Sequence, residues 1–425
     1  MGGHRLPLRI PAGTRALRHR NYRLYWTGQL VSLIGTWMQS VAQAWLILTL
    51  TNDPFMLGLL SVAQWGPVLV FGLFGGVLAD ALPKRRVLLV TQAVSMLLAF
   101  ALGILSLTGV VQEWHVLFLA LLLGVINIVD LPTRQAFVFE MVGREDLPNA
   151  VALNAASFNA SRIVGPAIAG LAIAAFGVPL AFIFNGLSFM GTIGSLLAMR
   201  PAELSPTPRT ALPRSAAAVL ETLGQGLGYI GRTPHVLIVL LVLGLVSTAG
   251  MNFSVVIPPL ARDILHAGPE GFGFLMAATG FGALLASVLL VVGRPRVATV
   301  LAGALLLGAL EMLLSASRWM PLSLSAMFLM GLGGITMAMG TNTLVQMSVP
   351  NELRGRVMSV YTTIFAGTTP IGGLFQGALA SSFGTDVSIL VGGLVCVLIA
   401  LAAGTVAWRW GLLGSRGRRA AGQAP

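Results

Sequence analysis

Residues 130–177 read DLPTRQAFVFEMVGREDLPNAVALNAASFNASRIVGPAIAGLAIAAFG, and the fold turns on how they are interpreted. The stretch puts Asp130, Arg134, Glu140, Asn154, Asn159 and Arg162 in or beside two apolar runs, in a chain where only 9% of residues are charged. It also recurs in weaker form. Residues 347–384 read MSVPNELRGRVMSVYTTIFAGTTPIGGLFQGALASSFG. Met141, Leu147 and Val151 match Met347, Leu353 and Val357 at an offset of 206, and Phe176-Gly177 matches Phe383-Gly384 at 207.

Working outward, the whole chain is apolar. Hydrophobic residues make up 56% of its 425 positions and the mean hydropathy is +0.86, which excludes an ordinary soluble domain. A membrane-spanning helix needs ~20 mostly apolar residues. Twelve runs meet that length, at 24–50, 55–79, 87–108, 115–138, 151–175, 178–199, 236–259, 271–293, 297–316, 320–345, 357–381 and 387–410. Turn and breaker residues such as Asn52-Asp53-Pro54, Pro83, Gly177 and Pro350 separate them, and Asp53 reads as the N-cap of the second run. The first run is too long for a signal-peptide core and reads as an uncleaved helix. The expected fold is an all-α integral membrane protein of twelve transmembrane helices in two pseudo-symmetric six-helix halves. Internal repetition with charges at membrane depth points towards a secondary transporter.

Lys and Arg orient the chain. With the N-terminus placed in the cytoplasm, 23 of the 26 basic residues fall in inner segments, Arg262 and Arg318 in outer loops, and Arg162 within a span. Both termini are therefore expected on the cytoplasmic side of a cell membrane. The net charge of +12 then faces anionic lipid, not nucleic acid. The expected organisation is a tail (1–20), a first half (21–199), a linker (200–234), a second half (235–410) and a second tail (411–425). In the linker, PAELSPTPRTALPR is expected to be extended. Val219, Leu220, Leu223, Leu227 and Ile230 lie at helical spacing, as on a membrane-surface helix.

Polar residues inside the spans carry the functional argument. Gln29, Ser32, Thr36 and Gln43 form a stripe on the first span, which suits either a water-filled cavity or hydrogen bonding between packed helices. The fourth span holds Asn127, Asp130 and Arg134, and the last two can pair across one turn. The fifth holds Asn154 and, half-way along, Arg162, which is too deep to snorkel. That position suits a functional or gating role, or an ion pair with a neighbouring helix. Glu311 is either a coupling residue or the partner of Arg318, seven residues on. Gly72, Gly76, Gly331 and Gly334 are expected to let backbones approach closely, and Gly165-Pro166 to act as a hinge or contact point. The sequence contains no phosphate-binding GxxxxGK[ST], no HExxH and a single Cys, so enzyme chemistry, a cofactor and a metal site are not expected.

Several of these segments resemble the major facilitator superfamily. GVLADALPKRR at residues 76–86 is similar to its GxLADRxGRR loop, departing at Ala81 and Pro83. RIVGPAIAG at 162–170 looks like the fifth-helix GPxxGG motif of its exporters, ending Ala-Gly. NYRLYWTGQLVSLIGTWMQSVAQAWL, PTRQAF, LPNAVALN, ELRGRVMSVY and GTTPIGGL look more specifically like the enterobactin-exporter-like branch, the third drug:proton antiporter family. The likeness runs from Asn21 to Trp410. It implies a monomeric exporter of a small amphipathic molecule such as a drug or siderophore, working by alternating access and driven by protons.

The same resemblance implies roles for individual residues. An inner gate would comprise Asp80, Lys84, Arg85, Arg86, Glu140, Arg354 and Arg356. The cavity would be lined by Gln29, Thr36, Gln43, Asn127, Asn154, Asn252, Thr336 and Asn342. Coupling or gating would fall to Asp130, Arg134, Arg162 and Glu311, with Asp130 carrying the proton and Arg162 biasing it. The alternatives are a translocator of lysolipid or another lipid and, in a different class, a non-transporting scaffold or sensor.

Overall fold

A backbone crossing lipid must satisfy its own N–H and C=O groups, which long apolar runs do by coiling into helices. The computed structural model describes residues 12–205, 216–292 and 295–413 and has no strand among them. Before the linker lie α1 (Arg20–Thr51), α2 (Pro54–Ala81), α3 (Lys84–Leu107), α4 (Glu113–Phe176) and α5 (Val178–Leu197). After it come α6 (Ala216–Arg232), α7 (Pro234–Gly250), α8 (Phe253–Pro259), α9 (Gly268–Val292), α10 (Val297–Ala316), α11 (Met320–Ser348), α12 (Asn351–Phe383) and α13 (Thr385–Arg409). Asp53 caps α2 as expected, its side chain accepting from the Phe55 N–H at 2.9 Å.

Ten segments of the described chain are long and apolar enough to cross a membrane. The 64-residue α4 is one of them, yet Gly143 at φ +69° divides it into two rods. An L side chain rarely adopts that conformation, so glycine is what allows the chain to turn back there. The loop expected between residues 138 and 151 is therefore absent: the first rod runs to the glycine and the second starts directly after it. α12 is as long as its neighbours but less apolar, and is not one of the ten; it packs against α2, α7 and α13.

The second departure is in α7. One span was expected over 236–259, but the helix stops at Gly250 and resumes at Phe253. The carbonyls released by the break find side-chain donors. Asn252 Nδ2 donates to the Thr248 carbonyl at 2.8 Å, and Gln376 Nε2 of α12 donates to that of Ala249.

The halves share one packing scheme. α1 packs on α4 and α5, α2 on α4, and α3 on α5; correspondingly α7 packs on α12 and α13, α9 on α11, and α10 on α13. Close approaches occur at small residues, though not at all those anticipated. Gly331 lies against the Thr279 carbonyl, and Gly334 against Met251. In α2, however, it is Gly75 that abuts the Ile128 carbonyl, while Gly76 faces open space and Gly72 meets only Val68 of its own helix.

Between the halves run two seams, α2 with α12 and the second rod of α4 with α9. We call the face bearing the first and last described residues the near face, and the other the far face. The first seam extends from Pro54 beside Gly377 to Leu69 beside Gly367; the second extends from Gly170 beside Pro269 to Arg162 beside Gly280. Both thus run from the far face to mid-helix. At the far face Trp45 stacks on Phe272, with ring centroids 6.3 Å apart. There Arg262 also donates from Nη1 to the Leu48 carbonyl and to Asn52 Oδ1, each at 2.9 Å.

The linker forms α6, as its spacing predicts. Instead of lying free it docks on the second half: Tyr229 Oη donates to the Ser348 carbonyl at 3.0 Å, and Gly226 sits on the Arg356 carbonyl. Leu227 is exposed and Ile230 buried. The side chains of Val219, Leu220 and Leu223, and the stretch 206–215, lie outside the described residues.

Candidate functional site

The polar residues of the first half gather into one ladder towards the near face. Asp130 is buried and fully engaged: Arg134 one turn on forms an ion pair with Oδ2, while Thr91 Oγ1 at 2.5 Å and Gln92 Nε2 at 3.0 Å donate to Oδ1 from α3. The Arg134 guanidinium also bonds the Tyr25 hydroxyl of α1. Through Thr91 and Gln92 on α3 and, by way of Arg134, Tyr25 on α1, the carboxylate ties three helices together. Arg162 takes no part: the cation at Asp130 is Arg134, the pairing that their i, i+4 spacing anticipated.

Two further rungs follow. Lys84 Nζ donates to Glu140 Oε1 at 2.9 Å with both groups buried, which joins the start of α3 to α4. Arg85 caps α5, donating from Nε to the Leu196 carbonyl at 2.8 Å. Below them Asp146 receives His19 at 2.7 Å, Arg18 at 2.8 Å and Arg15 at 3.1 Å, so the turn Ala12–Arg18 is pinned to the second rod of α4. The hydrogen bond from His19, reinforced by Arg18 and Arg15, holds the Asp146 carboxyl below the usual carboxylate range.

The remaining gate residues do not join this ladder. Arg354 is exposed and Arg356 half-buried, and neither makes a hydrogen bond or ion pair among the described residues. Arg86 is exposed, and the Asp80 side chain lies outside the described residues.

Glu311 has no cation. Arg318, its anticipated partner, reaches instead to Asp386 on α13 at 3.1 Å and to the Ser315 carbonyl at 2.9 Å. Glu311 is 3% exposed and wedged between Gly250 at the break in α7 and Gly393 and Cys396 on α13. Its Oε2 has no hydrogen-bond partner. An ionised carboxylate so enclosed costs on the order of several kcal/mol unless a cation or water reaches it.

The polar stripe divides. Thr36 is exposed and bonds only its own helix, donating to the Ser32 carbonyl at 2.8 Å. Gln29, Asn127 and Thr336 are half-buried, and Gln29 Oε1 has no partner. Gln43, by contrast, is buried and accepts from Gln64 Nε2 at 2.9 Å. Asn154 accepts from Tyr22 Oη at 2.9 Å, Asn342 accepts from Gln346 at 2.6 Å, and Asn252 is buried against Gly372. Gln43, Asn154 and Asn252 serve helix packing in this conformation, while the Gln346–Asn342 bond lies within α11. Gly165 and Pro166 are also packed: Gly165 lies on Trp37 and the Ile34 carbonyl, and the Pro166 carbonyl lies on Gly273. They form a contact point of the second rod of α4 with α1 and α9. Thr91, Gln92 and Arg262 were not singled out from sequence. The first two carried a signal as polar neighbours inside an apolar run; Arg262 carried none.

Two like halves of packed apolar helices, with an ionic ladder near one face and a polar latch at the other, define a major facilitator-type membrane transporter. The chain matches the family model described as transmembrane secretion effector over residues 12–410, and it belongs to that family. It is 28% identical over 393 residues to the uncharacterised MFS-type transporter YfiS of Bacillus subtilis, covering 88% of this chain and 90% of that one. It is 29% identical over 380 residues to the multidrug efflux pump Tap of Mycolicibacterium fortuitum, covering 87% and 91%. With the enterobactin exporter EntS of Escherichia coli O1:K1 it shares 24% over 393 residues, covering 90% and 92%. Its fold matches a bacterial homologue of the lysosomal transporter Spinster, in an inward-facing and occupied conformation, at a TM-score of 0.71. That likeness covers 92% of this chain and 97% of the other at 14% identity.

Proposed function

We propose that the chain is a proton-coupled exporter of small amphipathic molecules, working by alternating access in a bacterial inner membrane as a monomer of twelve spans with both termini in the cytoplasm. Relatives described as an efflux pump and an exporter support the direction. Seams closed from the far face to mid-helix, with Arg354 and Arg356 unengaged at the near face, match a conformation open to the cytoplasm.

The observation that carries the coupling is the contrast between the two buried acids. Asp130 is saturated by Arg134, Thr91 and Gln92, and so holds the first half together. Glu311 has no counter-charge and an unpartnered oxygen beside the interruption in α7. It exchanges the proton. Its ionisation requires α7 or α13 to move and admit water or a cation. A carboxylate at a helix break couples charge to backbone movement, because the break is where α7 bends most readily.

The test is substrate-driven proton flux in proteoliposomes. Glu311→Gln is expected to abolish proton flux while leaving downhill substrate exchange in place. Asp130→Asn is expected to lower the folded yield, with coupling retained in the protein that folds. Full coupling in Glu311→Gln would overturn the assignment. Substrate movement in the wild type that persists after the pH gradient is collapsed would favour translocation of a lipid without protons.

A further inference from the structure

Arg162 is a charge without an answer. It sits half-way along the second rod of α4, is half-buried, and makes no hydrogen bond or ion pair among the described residues. Lys84 and Arg134, a buried and a half-buried cation of the first half, are by contrast each paired with a carboxylate. Glu311 lies in the other half, enclosed by α7, α10 and α13.

The direction of Arg162 follows from its neighbours. Ile163, Val164, Ala167 and Ile168 line an outward groove of about 480 Å³ shared with Phe274 and Phe281 of α9. Val164 is two residues on, so Arg162 leaves the helix ~200° away from it. That is the side of Phe158, one turn earlier, and Gly165, one turn later. Phe158 makes an edge contact with Trp37 of α1 at 5.8 Å, and Gly165 abuts Trp37. Arg162 therefore lies on the interior side, beside a pair of aromatic rings.

We propose that Arg162 binds the acidic group of the transported molecule, and that the substrates are amphipathic anions: a carboxylate, sulfonate, phosphate or catecholate on an aromatic or apolar body. This rests on the chain being a transporter. A guanidinium in a low-dielectric interior with no counter-ion carries a desolvation cost that an incoming anion relieves, and its planar fork suits such groups. The Trp37–Phe158 pair supplies the surface for the apolar body. Asp130 and Arg134 cancel, which leaves the interior of the first half net positive and unfavourable to cations.

The test measures binding to the purified full-length protein in detergent, using fluorescent dansylglycine and its uncharged amide. The wild type is expected to bind the acid at least tenfold more tightly than the amide. Arg162→Gln is expected to erase that difference while leaving the amide affinity unchanged, which also reports that the variant is folded; Arg162→Lys should keep part of the preference. Equal affinity for acid and amide in the wild type, no binding of the acid, or a preference surviving in Arg162→Gln would each overturn the proposal. Competition by a soluble aryl sulfonate assigns the site to soluble anions, and competition by oleoyl lysophosphatidate alone assigns it to an anionic lipid. Transport of a neutral dye in proteoliposomes is a separate readout: its absence would count against transport itself, and its presence without acid binding against the anion site alone.

Discussion

At the scale of single residues, the structure distinguishes ionisable groups that meet a counter-charge from those that meet none. Asp146 belongs to the first kind. Its carboxyl is held below the usual range by His19, Arg18 and Arg15. A carboxyl lowered in this way contributes its full stabilisation above its unfolded value of ~3.9 and loses it as pH falls through the folded value. Asp146→Asn is therefore expected to lower the melting temperature in detergent at pH 7, and the gap from wild type should close below about pH 4. A gap that persists undiminished well below that pH would remove this ion cluster from the account. Glu311 and Arg162 are of the second kind. The Asp130–Arg134 pair was legible because both residues share one helical face. The true neighbours of Arg162 and Glu311 were not, since they come from other helices.

Among helices, contact is decided by single glycines. Gly75 and Gly76 are adjacent in α2 and chemically identical, yet one lies on the Ile128 carbonyl and the other faces open space. Gly75→Ala is expected to destabilise the first half by about 1–3 kcal/mol through overpacking against backbone that cannot yield. Gly76→Ala should be neutral or slightly stabilising, because alanine favours the helix. Thermal unfolding followed by size-exclusion yield separates them; equal effects would mean that the α2–α4 contact is looser than drawn. The positions of the helices were readable from apolar length and breakers. The break in α7 was not, because it is made by Asn252 and by Gln376 from a helix more than a hundred residues away.

For the whole molecule, the question is which face opens. Arg262 extends from the segment after α8 to the C-terminal end of α1, where a cation meets the negative end of the helix dipole and shares the Leu48 carbonyl with the Asn52 N–H. It is a bond between halves and has to break for the far face to open. Arg262→Ala should shift the population towards that state. Ser61, buried on α2 against Gly373, reports it. In a Cys396→Ala background, Ser61→Cys should react with an impermeant maleimide several-fold faster when Arg262 is also replaced. Unchanged labelling would mean that Arg262 does not hold the far face shut.

By itself the sequence determined the class of molecule: apolar length requires helices in lipid, and two weakly repeated halves with charges at depth lead to a transporter fold. It determined these things because they depend on local composition and spacing along one helix. Residues 130–177 were recognisable as the polar centre on those terms. Only the tertiary structure decided which charges are satisfied: Asp130 is closed off by Thr91 and Gln92, Arg318 turns to Asp386, and Glu311 and Arg162 are left without a counter-charge. Whether a buried charge has a partner depends on atoms that other helices bring within about 3 Å, and neither composition nor periodicity encodes that distance.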